Sequence, residues 1–111
     1  MKIHLLLPVF LLFITAFSCQ KTETNPDSCP DQLTYEADIK AIINSNCNVT
    51  GCHDGVNTKR KPLTDYTGVR AVVNGIKARA VDQKSMPPGG PLSQTDIDRL
   101  RCWIEQGAPE R

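Results

Sequence analysis

Cys47 and Cys52 stand five positions apart in the stretch "CNVTGCHDG", and His53 follows the second of them directly. Two thiols and an imidazole in this order serve three chemistries. The thiols can add to the vinyl groups of a porphyrin while the imidazole ligates its iron, as in the C-x-x-C-H pattern of c-type haem attachment. With a further cysteine the same groups can hold zinc. The thiols alone can close a disulfide loop in an oxidising compartment. Here the pattern is C-x-x-x-x-C-H, which keeps Cys52 and His53 adjacent and lengthens the loop between the thiols. Gly51 eases the turn just before Cys52.

A haem iron held in this way usually takes a sixth ligand from far along the chain. Beyond the first 18 residues, His53 is the only histidine and Met86 the only methionine. On the haem reading, His53 and Met86 are therefore the iron ligands, and a thioether sixth ligand favours the ferrous state. On the zinc reading, Cys47, Cys52 and His53 join Cys29 or Cys102. Adjacent Cys52 and His53 chelate a single zinc awkwardly, and the methionine loop is left without a role. A single histidine also leaves no Ser/His/Asp set for hydrolytic catalysis.

The elements that must position these residues are legible from periodicity and punctuation. Thr34 can cap a helix from about Tyr35 to Ser45, with Glu36 and Asp38 in its first turns and Ile39, Ile42 and Ile43 on one face. The cysteine motif begins where Asn44, Ser45 and Asn46 weaken that helix. Residues 54–63 read as a loop. Val69, Val72, Val73 and Ile76 suit one or two short helices broken near Gly75, or a short strand. Met86 lies in "DQKSMPPGGP", whose prolines and glycines exclude regular structure. The clearest helix follows. Ser93 and Asp96 form a capping box, Leu92 and Ile97 a hydrophobic staple, and Ile97, Leu100, Trp103 and Ile104 a buried stripe. Gly107 and Pro109 end it.

The 111 residues allow one domain. Residues 1–18 have the plan of a secretory signal, with Lys2 before the apolar run Leu5 to Phe17. Ala16 and Ser18 precede Cys19 as a signal peptidase requires, and a cysteine at this point resembles the lipobox of bacterial lipoproteins. That resemblance implies an acylated Cys19. Residues 19–32 then form a lipid-anchored flexible tether, and 33–111 form the domain. Beyond Cys19 the charges balance, with acids in excess before Cys52 and bases in excess over 53–84. The run Lys59-Arg60-Lys61 reads as a solvated loop. Without an aromatic platform or a recognition helix it does not point to nucleic acid.

The segment "MPPGGPLSQTDIDRLRCWIEQGAP" resembles the C-terminal half of small c-type cytochrome domains of exported bacterial proteins. "YEADIKAIINSNCNVTGCHDG" is similar to their opening helix and haem-attachment site, and "PLTDYTGVRAVVNG" to their middle section. The resemblance covers about residues 33–109. It implies an all-α, cytochrome c-like domain whose N- and C-terminal helices cross and pack around one haem c. The haem would be attached through Cys47 and Cys52, ligated by His53 and Met86, with Trp103 packed near it. Crossed terminal helices would bring Cys29 and Cys102 together as a disulfide.

The function expected from this is single-electron transfer in the cell envelope, Fe(II) cycling with Fe(III), and not catalysis. Expected partners are redox proteins and, through Cys19, the lipid membrane, with no nucleic acid and no small-molecule substrate. The expected location is lipid-anchored and facing the periplasm, the outer membrane favoured over the inner. Two other functions fit the same residues. One is a haemless, disulfide-stabilised lipoprotein acting as a binding module. The other is a peroxidase-like haem enzyme in which Met86 is displaced.

Overall fold

The computed structural model describes residues 28–111. The signal segment, Cys19 and most of the tether lie outside the described residues. A π-helical turn at Tyr35–Ile39 runs into helix α1, Lys40–Asn46. Helix α2 is Tyr66–Ala71 and α3 is Val73–Ile76, which continues as a π-helical segment, Lys77–Asp82. Helix α4, Gln94–Glu105, closes the domain and packs against both π-helical segments. The all-α expectation agrees with these elements.

Local chemistry explains where each element begins. The Thr34 hydroxyl accepts from the amide of Ala37 at 3.3 Å, while the Thr34 amide donates to Asp38 Oδ2 at 2.8 Å. The first free amides of this helix, on Tyr35 and Glu36, donate to the carbonyls of Pro109 and Glu110 at 2.9 and 3.1 Å. The C-terminal tail thus satisfies donors that a helix start leaves unpaired. Ser93 caps α4 by accepting from the amide of Asp96 at 3.1 Å. Asp96 Oδ2 accepts from the Ser93 hydroxyl at 2.8 Å instead of from the Ser93 amide, so the box is closed through the side chain. In the middle section the interruption falls at Val72, not at Gly75, and the helical path continues to Asp82.

The core is apolar throughout: among the described residues no polar or charged residue is buried. Trp103, Ile39, Ile43, Leu100 and Val69 are fully buried, with Tyr35 almost so. The Tyr35 ring lies 5.5 Å from Tyr66 and 6.3 Å from Trp103. Of the expected stripe on α4, Ile104 is only half-buried. Gly68 lets α2 approach the preceding loop, because a Cβ there would stand 2.6 Å from the carbonyl oxygen of Pro62.

Cys29 and Cys102 are joined in a disulfide, with 5.4 Å between their Cα atoms across a separation of 73 residues. The link ties the entry of the domain to α4. Hydrogen bonds run beside it: Gln106 Oε1 accepts from the amide of Leu33 at 2.8 Å, and Gln106 Nε2 donates to the carbonyl of Pro30 at 2.8 Å. The disulfide is the one expected from the crossing of the terminal helices; what is corrected is the cytochrome c-like architecture packed around a covalently attached haem. The ends of the domain are held by a disulfide, a hydrogen-bonded clasp and an apolar core built from the chain's own side chains. A small all-α module stabilised by a disulfide is what the structure supports.

Candidate binding cleft

The 47–53 loop starts at the exit of α1, where the Cys47 amide still donates to Ile43 at 2.8 Å. The chain then turns, with the Cys52 amide donating to the carbonyl of Val49 at 2.9 Å and the His53 amide to that of Cys47 at 3.1 Å. Gly51 makes the turn at φ +79°, a left-handed conformation that side chains disfavour. Its amide donates to Asp54 Oδ2 at 2.9 Å, and the Val56 amide donates to Asp54 Oδ1 at 3.1 Å. These two amides hold the Asp54 carboxyl below its ordinary range, the Gly51 amide contributing most. Arg60 Nη1 donates to the carbonyl of Gly51 and closes the loop from the far side.

His53 is oriented by its backbone and its ring. Its carbonyl accepts from the amide of Leu63 at 2.9 Å, and its Nδ1 lies 2.7 Å from the carbonyl oxygen of Lys61. A carbonyl can only accept, so Nδ1 carries a proton and donates it to this bond. Met86 is placed from the other end of the molecule. The amides of Ser85 and Met86 both donate to the carbonyl of Arg79, at 2.8 and 3.2 Å, which folds the proline loop back on the π-helical segment.

These segments enclose a cleft of about 530 Å³. Cys47, Cys52, His53 and Met86 all line it, so the structure brings four of the candidate residues together. Leu63, Val72, Ile76, Ala80, Pro87 and Pro88 give the lining its mostly apolar character. Lys59, Arg60, Lys61 and Arg79, all exposed, are its charged members, and no carboxylate joins them. Trp103, the fifth candidate, is elsewhere. It is fully buried, does not line the cleft, and donates from Nε1 to the carbonyl of Pro109 at 2.9 Å. Its role is to pin the C-terminal tail. A second cavity, beside the disulfide, is lined by Pro30, Asp31, Gln32, Thr34 and Arg111 among others and holds none of the site candidates.

Cys47 and Cys52 are free thiols, each half-buried. Burial pushes the Cys47 thiol above its ordinary pKa, and the neighbouring Cys52 adds to the rise. Among the described residues no three His, Cys, Asp or Glu side chains come together in a group able to hold a metal ion. In comparisons with protein-family models, with curated proteins and with solved structures, nothing matches this chain.

These findings correct the resemblance to c-type cytochromes and what it implied. The cysteine cross-link in the fold is Cys29–Cys102, and no grouped donor set marks a metal centre. No relative carries the family assignment to this chain. The haem c expected on Cys47 and Cys52, its iron ligands and the electron-transfer function built on them are accordingly not retained. Sequence reasoning also undervalued the Lys59-Arg60-Lys61 run, which lines the cleft instead of being only a solvated loop. Arg79 and Ala80 carried no signal in the sequence, because only the π-helical continuation past Ile76 turns them toward the same space.

Proposed function

We propose that this chain is a disulfide-stabilised helical binding module, and that the cleft beside Cys47, Cys52 and His53 receives a small apolar ligand bearing an acidic group. One observation carries the reading: a mostly apolar lining is accompanied by four cations and no carboxylate. Apolar walls supply affinity through burial, while a few placed charges select and orient the ligand.

The location follows from separate support. The signal-like segment before Cys19 and the Cys29–Cys102 disulfide both suit export to an oxidising compartment. The same segment suits a lipid anchor at Cys19 on the periplasmic face of the envelope, with the outer membrane favoured. Among the described residues no helix is long and apolar enough to cross a membrane.

Titration with anilinonaphthalene sulfonate, an apolar ring system with one acidic group, tests the reading. Gly75 lines the cleft in ordinary helical conformation, and a Cβ there meets open space. Gly75→Phe therefore fills the cleft without straining the fold and weakens dye binding about tenfold, or roughly 1.4 kcal/mol. Arg79→Glu weakens it as well, more at low salt than at high. Unchanged dye affinity in both variants would overturn the proposal.

A further inference from the structure

We propose that Cys47 and Cys52 form a redox-active dithiol that reacts with small disulfides bearing carboxylates. The inference rests on the cleft being the binding site and adds a reaction of the chain's own thiols to it. The bond from the His53 amide to the Cys47 carbonyl, 3.1 Å, closes the loop and brings the backbone at Cys47 alongside that at Cys52–His53. Both thiols are half-buried, both are free, and both line the same cleft. Between them Gly51 sits at φ +79° with nothing within 4 Å of a built Cβ, so the turn has room to adjust as the sulfurs approach.

Among the described residues the other cysteines do not compete. Cys29 and Cys102 are already joined to each other, and Cys102 is buried. Lys59, Arg60, Lys61 and Arg79 make the surroundings of the free pair electropositive, which draws an anionic disulfide in preference to a cationic one.

The exchange proceeds in two substitutions at sulfur. Burial raises the Cys47 pKa and disfavours its thiolate, so Cys52 attacks first and gives up its proton as it does so. It displaces one thiolate from the small disulfide and forms a mixed disulfide on Cys52. Cys47 then loses its proton and attacks the Cys52 sulfur, which expels the second thiolate and leaves Cys47 joined to Cys52. The protons given up by the two protein thiols end on the two released thiolates. Two electrons pass from the protein pair to the small disulfide, which becomes two thiols.

The experiment incubates the full chain, as exported, with oxidised glutathione and reads intact mass and a non-reducing peptide map. The expected product has lost two hydrogens, carries a Cys47–Cys52 link and keeps Cys29–Cys102. Cys47→Ser stops at a stable glutathione adduct on Cys52. Oxidised glutathione reacts about tenfold faster than cationic cystamine at low salt, and the ratio shrinks as salt is added. Cys47 and Cys52 still alkylated in full after incubation, or glutathione left on both without a link, would overturn the inference. If dye binding persists in that case, only the dithiol inference fails. If dye binding is also absent, the reading of the cleft fails with it.

Discussion

The imidazole of His53 is tied through Nδ1 to the carbonyl of Lys61 at 2.7 Å. With the bond from the Leu63 amide to the His53 carbonyl, this fastens the 54–61 loop back onto the residue beside Cys52. One side chain therefore sets both the imidazole that faces the cleft and the loop that brings Lys59, Arg60 and Lys61 to it. His53→Ala removes the ring bond and leaves the backbone bond, a net loss of about 1 kcal/mol. Amide exchange should quicken across 54–61 and stay slow in α4. Unchanged exchange in the loop would show that the ring does not hold it.

The Cys29–Cys102 disulfide constrains a long stretch of the unfolded chain. The double variant Cys29→Ser/Cys102→Ser should lose about 2–4 kcal/mol in denaturant unfolding. The residual stability resides in the core and in the Gln106 clasp to Pro30 and Leu33. Equal unfolding midpoints for the variant and the parent protein would contradict this assignment of stability.

Tyr35 presents the one buried side-chain polar atom without a hydrogen-bond partner among the described residues, its hydroxyl oxygen. Tyr35→Phe should consequently be neutral or stabilising, by up to about 1 kcal/mol. Desolvation raises the phenol above its ordinary 10.0, so the folded state holds this proton more tightly than the unfolded state does. The sign follows by linkage: the stability is fully present below the ordinary value and is lost as pH climbs through the raised one. The free energy of unfolding, measured above pH 10.0, should fall less steeply with pH in Tyr35→Phe than in the parent. Parallel pH profiles would contradict it.

Gly68 tests the seam between α2 and the loop that carries Leu63. Gly68→Ala drives a Cβ against the Pro62 carbonyl oxygen, a backbone atom that has no rotamer to yield. The expected cost is about 1–3 kcal/mol, read as a lower melting temperature together with weaker dye binding as the cleft wall shifts. A variant with the parent's melting temperature would mean the loop moves freely.

Much of the fold was legible because its signals are local. The Thr34 and Ser93 caps, the Ile39-Ile42-Ile43 face and the Leu100-Trp103 stripe each follow from residues within a few positions of one another. The gathering of Cys47, Cys52, His53 and Met86 around one cleft could be anticipated, but not its cationic members, since Arg79 reaches it only through a π-helical segment that periodicity did not reveal. Trp103 was misplaced for a related reason. A buried tryptophan in a helix stripe carries no sequence mark of whether a ligand or the chain's own tail covers it, and here the carbonyl of Pro109 takes its N–H. The resemblance to cytochromes rested on short motifs. Such motifs record residue types at intervals, which a thiol-lined cleft shares with a haem site.

The most direct test of the account is a mass measurement on the chain isolated from an exporting host able to mature c-type cytochromes. Peptides are mapped before and after reduction and alkylation. The account predicts a Cys29–Cys102 link before reduction, and afterwards a bare 47–53 peptide in which Cys47 and Cys52 are both alkylated. A tetrapyrrole that stays bound to Cys47 and Cys52 through reduction would contradict it and return the site to iron chemistry.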